Sequence, residues 1–192
     1  MSFCIYLTHP EVNIDEAVPV PEWGLSEVGR ERAAKFLDLP FARDIKRVIS
    51  SAEKKAVDTA HAIADPLKIP VLTLQPLHEN DRSATGYLPP EEFDKVADEF
   101  FSDPYTSVRG WERAFDAQMR IVSGVQAALV RIPPDTPILF AGHGGVGTLL
   151  MCHLMNTPIS REHDQKRAGS WFQFDRKDLT EKAASKLSWT EL

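Results

Sequence analysis

Short apolar runs alternate with segments of helical periodicity, and this alternation constrains the fold more than any other feature of the sequence. The apolar runs occupy residues 3–7, 46–50, 70–74, 137–141 and 171–174. Helical patterns lie between them and begin near Ser26, Ser51, Pro90, Trp111 and Gly145. Strands that alternate with helices predict an α/β three-layer sandwich, in which a mostly parallel central sheet has helices on both faces.

Capping and helix-breaking residues predict where several helices begin and end. Ser26 and Ser51 are residues of the type that caps a helix N-terminus, and Pro40 should end the first helix. The Pro89–Glu92 segment is a favourable helix start, because proline is tolerated in the first turn and acidic side chains stabilise the positive end of the helix dipole. We therefore expect a helix in the middle of the chain that begins at this segment.

Length and composition predict a single domain that spans residues 1–192. Of the 192 residues, 43% are hydrophobic, which is enough for one core. The net charge is -6 at pH 7 and no basic block stands out, so we expect no nucleic-acid partner. The N-terminal apolar run is too short for a signal peptide or a membrane span, which predicts a cytoplasmic protein without a membrane partner. Cys4 and Cys152 form no C-x-x-C pair, so neither a disulfide framework nor a zinc site is expected.

Two histidines lie at the ends of predicted strands. His9 follows the first apolar run, and His143 follows the fourth within Gly142-His143-Gly144-Gly145. The carboxyl ends of parallel strands line the crevice in which open α/β sheets bind ligands, so both imidazoles should face one pocket. Paired histidines in such a pocket indicate chemistry on a charged group.

Five short motifs occur in a fixed order along the chain. They are Ile5–Pro10, Gly24–Gly29, Ser50–Ala60, Leu77–Glu79 and Gly142–Val146. In this order the motifs resemble the histidine phosphatase superfamily, the phosphoglycerate mutase-like fold, and the resemblance spans essentially the whole chain. Five ordered motifs are far more specific than any single one.

The resemblance implies three catalytic residues. His9 matches the nucleophile, His143 the second histidine and Glu79 the acid that protonates the leaving group, although Asp81 is close enough to be a second candidate for the acid. The family's scheme is hydrolysis of a phosphomonoester through a phosphohistidine, and it requires no metal and no cofactor. The implied partner is a small phosphorylated substrate or a phosphoprotein.

The motif around the nucleophile departs from the family pattern. The usual Arg-His-Gly is Thr8-His9-Pro10, and the arginine of the following helix is Lys55. A lost guanidinium removes a planar clamp for phosphoryl oxygens, and proline lacks the backbone N–H of glycine. The phosphate-binding residues expected from the resemblance are Thr8, Lys55 and Gly144, and we expect Arg82 to supply the missing guanidinium.

Further substrate contacts are expected outside the phosphate pocket. The resemblance assigns them to Asn13, Ser26 and Arg109, the last of which lies in a segment that often contacts substrate in the family. The mixed charged and aromatic residues from about 80 to 111 form a candidate lid or cap within the single domain.

Other functions are compatible with the same residues. The altered Thr8-His9-Pro10 motif is also compatible with a weak or inactive family member that binds a phosphorylated ligand. A metallohydrolase that uses His9 and His143 ranks lower, because no H-E-x-x-H motif is present. Residues 142–147 fit the dinucleotide motif G-x-G-x-x-G, but no strand pattern with an acidic residue follows about 20 residues later. These glycines are better explained by close approach to a small anion at a helix N-terminus.

Overall fold

A single six-stranded sheet forms the centre of the protein, and the computed structural model describes residues 3–181 and 186–192. The strands are β1 (Cys4–Thr8), β2 (Arg47–Ser51), β3 (Val71–Leu74), β4 (Ile138–Gly142), β5 (Ser170–Phe174) and β6 (Thr190–Glu191). Their order across the sheet is β3-β2-β4-β1-β5-β6. The first four strands are parallel to one another, whereas β5 is antiparallel to β1 and β6 is antiparallel to β5. The predicted α/β fold with a mostly parallel sheet is therefore confirmed.

In the part of the chain that the structure describes, five α-helices connect and cover the strands. They are α1 (Glu27–Ala34), α2 (Lys54–Leu67), α3 (Pro90–Ser102), α4 (Ala114–Val130) and α5 (Gly144–Leu154). Short 3-10 helices lie at Val20–Glu22, Lys35–Asp38, Ala42–Asp44, Gln75–Leu77, Val108–Gly110, Arg161–His163 and Arg176–Leu179.

The central strand β1 separates two hydrophobic cores. All five of its residues are buried, which is why it reads as a continuous apolar run. Successive side chains point to opposite faces, so Cys4 and Tyr6 pack with α4 and α5, whereas Ile5 and Leu7 pack with α2 and the Phe36 region. Helices therefore cover both faces of the sheet, as predicted.

Of three predicted helix starts, one is confirmed and two change in the structure. Ser26 caps α1 as predicted, since its Oγ accepts a hydrogen bond from Gly29 N at 3.0 Å. Ser51 was expected to cap the next helix, but it is the last residue of β2, and α2 begins only at Lys54 after the N-cap Glu53. The fourth helix begins at Ala114 rather than Trp111, because the indole of Trp111 is buried and the preceding 3-10 turn places Arg109 in the left-handed region at φ 49°.

The segment from 80 to 111 contains α3 and is anchored in the core. Val96, Phe100 and Trp111 are each no more than 2% exposed. The Trp111 Nε1–H donates to Thr85 Oγ1 at 2.8 Å, which ties the loop before α3 to the turn after it. Any movement of this candidate lid would have to disturb these buried contacts.

Candidate active site

His9 follows β1, and its ring has a defined hydrogen-bond partner. Its backbone N–H donates to Gly142 O at 3.0 Å, which holds it beside the end of β4. Nδ1 lies 2.8 Å from Pro10 O, and because a carbonyl only accepts, Nδ1 carries the proton. Burial, aided by the Lys55 charge, lowers the pKa of His9 from 6.5 to about 4. The ring is therefore neutral at pH 7 with its lone pair on Nε2, the form that can act as a nucleophile.

His143 lies against His9 at the start of α5. Its side chain is completely buried, and the two ring centroids are 5.4 Å apart. Burial lowers the pKa of His143 well below its ordinary value, so this imidazole is also neutral. Two neutral imidazoles can approach a dianionic phosphate as one nucleophile and one hydrogen-bond donor.

The hydroxyl of Ser51 determines which nitrogen of His143 carries the proton. His143 Nε2 lies 2.8 Å from Ser51 Oγ, which also accepts from Glu53 N at 3.2 Å. Donation of the buried Ser51 hydroxyl proton to Nε2 satisfies both groups and leaves the ring proton on Nδ1. That Nδ1 has no partner among the described residues, although it is buried. A ligand oxygen at Nδ1 would satisfy this donor.

The backbone of His143 is held by Tyr6. The Tyr6 hydroxyl accepts from His143 N at 3.1 Å and lies 3.2 Å from His143 O, to which it donates. A Cβ at Gly142 would collide with this hydroxyl, so glycine is required at that position. The glycine before His143 thus serves close packing against Tyr6.

The carboxylate of Glu79 lies at the N-terminus of α5. It accepts hydrogen bonds from Val146 N at 3.0 Å and from Gly145 N at 3.2 Å. Burial raises the pKa of Glu79, and this effect exceeds the opposing influence of the Arg82 charge and the backbone donors. A carboxyl group with a raised pKa next to the two histidines is suited to donate a proton to a leaving group.

Asp81, the second candidate for the acid, has a different environment. Its side chain is exposed and its Oδ1 accepts from Ser83 N at 2.9 Å. This hydrogen bond lowers the pKa of Asp81, so the group stays ionised. The geometry therefore favours Glu79 over Asp81 as the proton donor.

Lys55 is buried and already has two partners. Its ammonium donates to Val20 O at 3.0 Å and pairs with the Glu53 carboxylate. Burial works to raise the pKa of Glu53, but the Lys55 ammonium and the Glu79 N–H, which donates to it at 2.8 Å, lower this pKa. A phosphate that contacts Lys55 would therefore compete with an existing ion pair.

Glu53 is a site residue that the sequence analysis missed. Its carboxylate lies between Lys55, the Glu79 backbone and His143, whose Nε2 is 3.7 Å from Glu53 Oε1. The available signal was its position in the Ser50–Ala60 motif, between the end of a strand and the lysine that replaces the expected arginine. Because an acid at a helix start is usually solvated, the signal was weak.

Arg82 lies at the mouth of the site. Its guanidinium is 4.9 Å from the centroid of the Phe93 ring, and it forms no ion pair within residues 3–181 and 186–192. The charge of Arg82 is one of those that lower the pKa values of His9, His143 and Glu79. A guanidinium that influences all three groups is well placed to contact an anion between them.

A cavity of about 580 Å³ adjoins this cluster. Glu53, Glu79 and Arg82 line it, with Val20 and Glu22 of the proline-rich loop on the opposite side. The two histidines do not line the cavity themselves, but Glu53 and Glu79 connect it to them. The cavity can hold the organic part of a substrate whose phosphate reaches His9.

The remaining predicted residues lie elsewhere or have other partners. Asn13 is exposed, and the Ser26 hydroxyl is occupied with capping α1 and with donation to Glu11 O at 3.2 Å. Arg109 is exposed and pairs with Glu92 at 2.5 Å. None of these three residues lines the cavity. Thr8 is fully buried and its hydroxyl hydrogen-bonds with the segment 165–170 rather than with His9.

Gly144 is the first residue of α5, and its N–H lies at the positive end of that helix. The next two N–H groups donate to Glu79, whereas the Gly144 N–H has no acceptor among the described residues. This free donor next to the two histidines fits the predicted contact with a small anion.

The α/β fold and the two neighbouring histidines indicate a protein of the phosphatase class, and the comparison with protein families supports this class. The model of the histidine phosphatase superfamily (branch 1) matches residues 15–181. The chain belongs to this superfamily, so the family predicted from the ordered motifs is confirmed. The match begins after Thr8-His9-Pro10, the segment in which the chain departs from the family pattern.

Solved structures show the same fold. A mycobacterial glucosyl-3-phosphoglycerate phosphatase is 20% identical, with a TM-score of 0.76 and coverage of 99% of this chain and 96% of that chain. YhfR of Bacillus stearothermophilus is 24% identical, with a TM-score of 0.72 and coverage of 90% of each chain. A phosphoserine phosphatase from Entamoeba histolytica is 15% identical, with a TM-score of 0.70 and coverage of 91% and 90%. No curated protein matches the chain.

Within residues 3–181 and 186–192, no three His, Cys, Asp or Glu side chains are grouped so that they could hold a metal ion. In the same residues, no helix combines the length and apolar character needed to cross a membrane.

Proposed function

We propose that the protein is a metal-independent phosphatase that hydrolyses a phosphomonoester through a phosphohistidine on His9. The observation that carries this proposal is the state of the His9 ring. It is neutral, its Nδ1–H is held by Pro10 O, and its ring centroid lies 5.4 Å from that of His143. Membership of the superfamily supports a phosphoric monoester hydrolase.

The reaction has two balanced steps. In the first, His9 Nε2 forms a bond to phosphorus, the ester P–O bond breaks, and Glu79 gives its proton to the departing alkoxide oxygen. In the second, water gives its proton to Glu79 and its oxygen attacks phosphorus, which breaks the P–N bond and releases inorganic phosphate. Glu79 is protonated again at the end, so the cycle closes without a metal or cofactor.

Donors already present can stabilise the phosphoryl oxygens. The Gly144 N–H and the His143 Nδ1–H both lack partners among the described residues, and Arg82 adds positive charge. Lys55 contributes its charge from within the pair with Glu53. Together these groups offer less positive charge and fewer paired N–H donors than a pair of arginines would, so we expect modest phosphate affinity.

The substrate is a small phosphorylated molecule in this proposal. The cavity contains acidic groups at Glu22 and Glu53 beside Arg82, which suits a polar organic group with hydroxyl or amino substituents. The structural neighbours named for glucosyl-3-phosphoglycerate and phosphoserine act on compounds of this size. We further propose that the chain forms one domain with residues 80–111 as its cap. We also propose that the protein is located in the cytoplasm.

A screen of phosphomonoesters with and without chelator tests the function. We expect hydrolysis of an activated aryl phosphate that chelator does not change, and loss of turnover in His9→Ala with a thermal melt close to that of the wild type. Activity that disappears with chelator would contradict the metal-free mechanism.

A phosphate-binding protein without turnover is the second candidate. The Lys55–Glu53 ion pair and the Thr8-His9-Pro10 motif favour it, because both reduce the positive charge offered to a phosphoryl group. Phosphate binding by calorimetry, without hydrolysis of any ester in the panel, would select this candidate.

A further inference from the structure

Thr8 stands where the family resemblance implies an arginine that binds phosphate. Its side chain contacts Gln165, a residue that can bind phosphate instead. The Thr8 hydroxyl lies 2.6 Å from Gln165 Oε1. A longer side chain at position 8 would extend into the space that Gln165 fills. Gln165 is only partly buried and lies on the loop before β5.

The hydrogen bonds of Thr8 determine the orientation of the Gln165 amide. Gly169 N and Ser170 N each donate to Thr8 Oγ1 at 3.0 Å, so both of its lone pairs are used. The hydroxyl proton of Thr8 lies within reach of Ser170 O at 3.2 Å as well as Gln165 at the shorter distance of 2.6 Å. Because Thr8 Oγ1 has no lone pair left to accept an N–H, the Gln165 atom that it meets must be the amide oxygen. The amide NH2 is therefore on the opposite side, away from Thr8.

The NH2 group of Gln165 lies over the first turn of α5. A Cβ at Gly144 would collide with Gln165 Nε2, so the amide approaches the helix N-terminus closely. The loop is held there by Asp164, whose Oδ1 accepts from Thr148 Oγ1 at 2.9 Å and from Gln165 N at 2.8 Å. The amide thus stands beside the free N–H of Gly144 and next to the strand end that carries His9.

We infer that Gln165 is a phosphate-binding residue, and that the Thr8–Gln165 pair replaces the arginine expected before the nucleophile. The amide NH2 donates to a phosphoryl oxygen that also contacts the Gly144 N–H. Thr8 acts as a positioning residue, because it fixes the orientation of the amide. The inference rests on the proposed function in assigning His9 as the group that the phosphate approaches, but phosphate binding itself can be measured without turnover.

Two substitutions of Gln165 separate a phosphate contact from a structural role. Gln165→Ala removes both the NH2 donor and the oxygen that accepts from Thr8. Gln165→Glu keeps an acceptor for Thr8 but replaces the donor with a negatively charged oxygen. If Gln165 contacts phosphate, Gln165→Glu should lose more phosphate affinity than Gln165→Ala. If Gln165 only supports the loop through its hydrogen bond with Thr8, Gln165→Ala should lose more.

The measurement is titration of the full chain with inorganic phosphate, by calorimetry and by 31P NMR. We expect Gln165→Ala to bind phosphate about tenfold more weakly than the wild type, and Gln165→Glu more weakly still. Gln173→Ala is the matched control, because this exposed amide on β5 lies outside the site, and it should bind like the wild type. Thermal melts check that each variant is folded.

Three results would overturn the inference: unchanged affinity in Gln165→Ala, affinity of Gln165→Glu equal to or above that of Gln165→Ala, or a wild-type protein that does not bind phosphate. Failure of the proposed function looks different, since it is an absence of ester hydrolysis in the wild type. Phosphate binding that is weaker in Gln165→Ala, and weaker still in Gln165→Glu, would support the inference even in that case.

Discussion

The carboxylate of Glu79 accepts a hydrogen bond from the backbone N–H of Val146 at 3.0 Å, in the first turn of the helix that His143 caps. One helix end therefore positions both the second histidine and the proposed acid. Its free first N–H, at Gly144, follows His143 directly and precedes the two N–H groups that donate to Glu79, so it can contact the phosphate that the two residues act on.

Glu79→Gln should slow hydrolysis more as the leaving group becomes more basic, because a nitrophenolate departs without a proton and an alkoxide does not. Rates for a series of phenyl and alkyl phosphates provide the test. Asp81→Asn is the matched control and should show no such gradient. If the gradient appears in Asp81→Asn and is absent in Glu79→Gln, the assignment of the acid is wrong.

Arg82→Ala should lower kcat/KM by roughly ten- to a hundredfold, the effect of one lost charge-assisted hydrogen bond. Arg82→Lys should recover only part of this loss, because lysine lacks the planar fork. Arg109→Ala serves as the comparison, since its guanidinium is exposed and paired with Glu92, and it should have little effect. Equal steady-state kinetics for Arg82→Ala and the wild type would contradict this role.

The sequence predicted strands β1 to β5 and the two histidines because a strand inside the sheet leaves a short apolar run with a clear end. It did not predict β6, since Thr190–Glu191 is an exposed pair without an apolar pattern. It did not predict that β5 runs antiparallel, since an apolar run does not indicate the direction of its neighbour. Glu53 and the Thr8–Gln165 contact were also missed. Gln165 is 157 residues away from Thr8 in sequence, and only the fold brings the two together.

The pH dependence of activity should report the lowered pKa of His9, which is about 4. His9 is the nucleophile only when neutral, so kcat/KM should fall as pH drops through this value. Because the unfolded chain binds a proton at the ordinary pKa of 6.5 and the folded one does not, stability should also decline as pH falls from about 6.5 to about 4. NMR titration of the His9 ring measures this pKa, on which both expectations depend. A pKa near 6.5 would contradict them.

Glu53→Ala should destabilise the fold by about 3 kcal/mol, because it leaves the Lys55 ammonium buried without its partner. The free energy of unfolding in urea provides the measurement. Asp116→Ala is a control that removes an exposed ion pair, the one with Arg113, and should change stability little. A loss for Glu53→Ala no larger than that of the control would show that the buried pair contributes little.

Trapping the phosphohistidine shows whether His9 is the nucleophile. The enzyme is mixed with an aryl phosphate, quenched in alkali to preserve the acid-labile P–N bond, and digested for mass spectrometry. The mechanism predicts one phosphoryl group on the peptide that contains His9, increased in Glu79→Gln and absent in His9→Ala. Turnover without any phosphorylated His9 peptide, or a phosphoryl group on His143 instead, would contradict it.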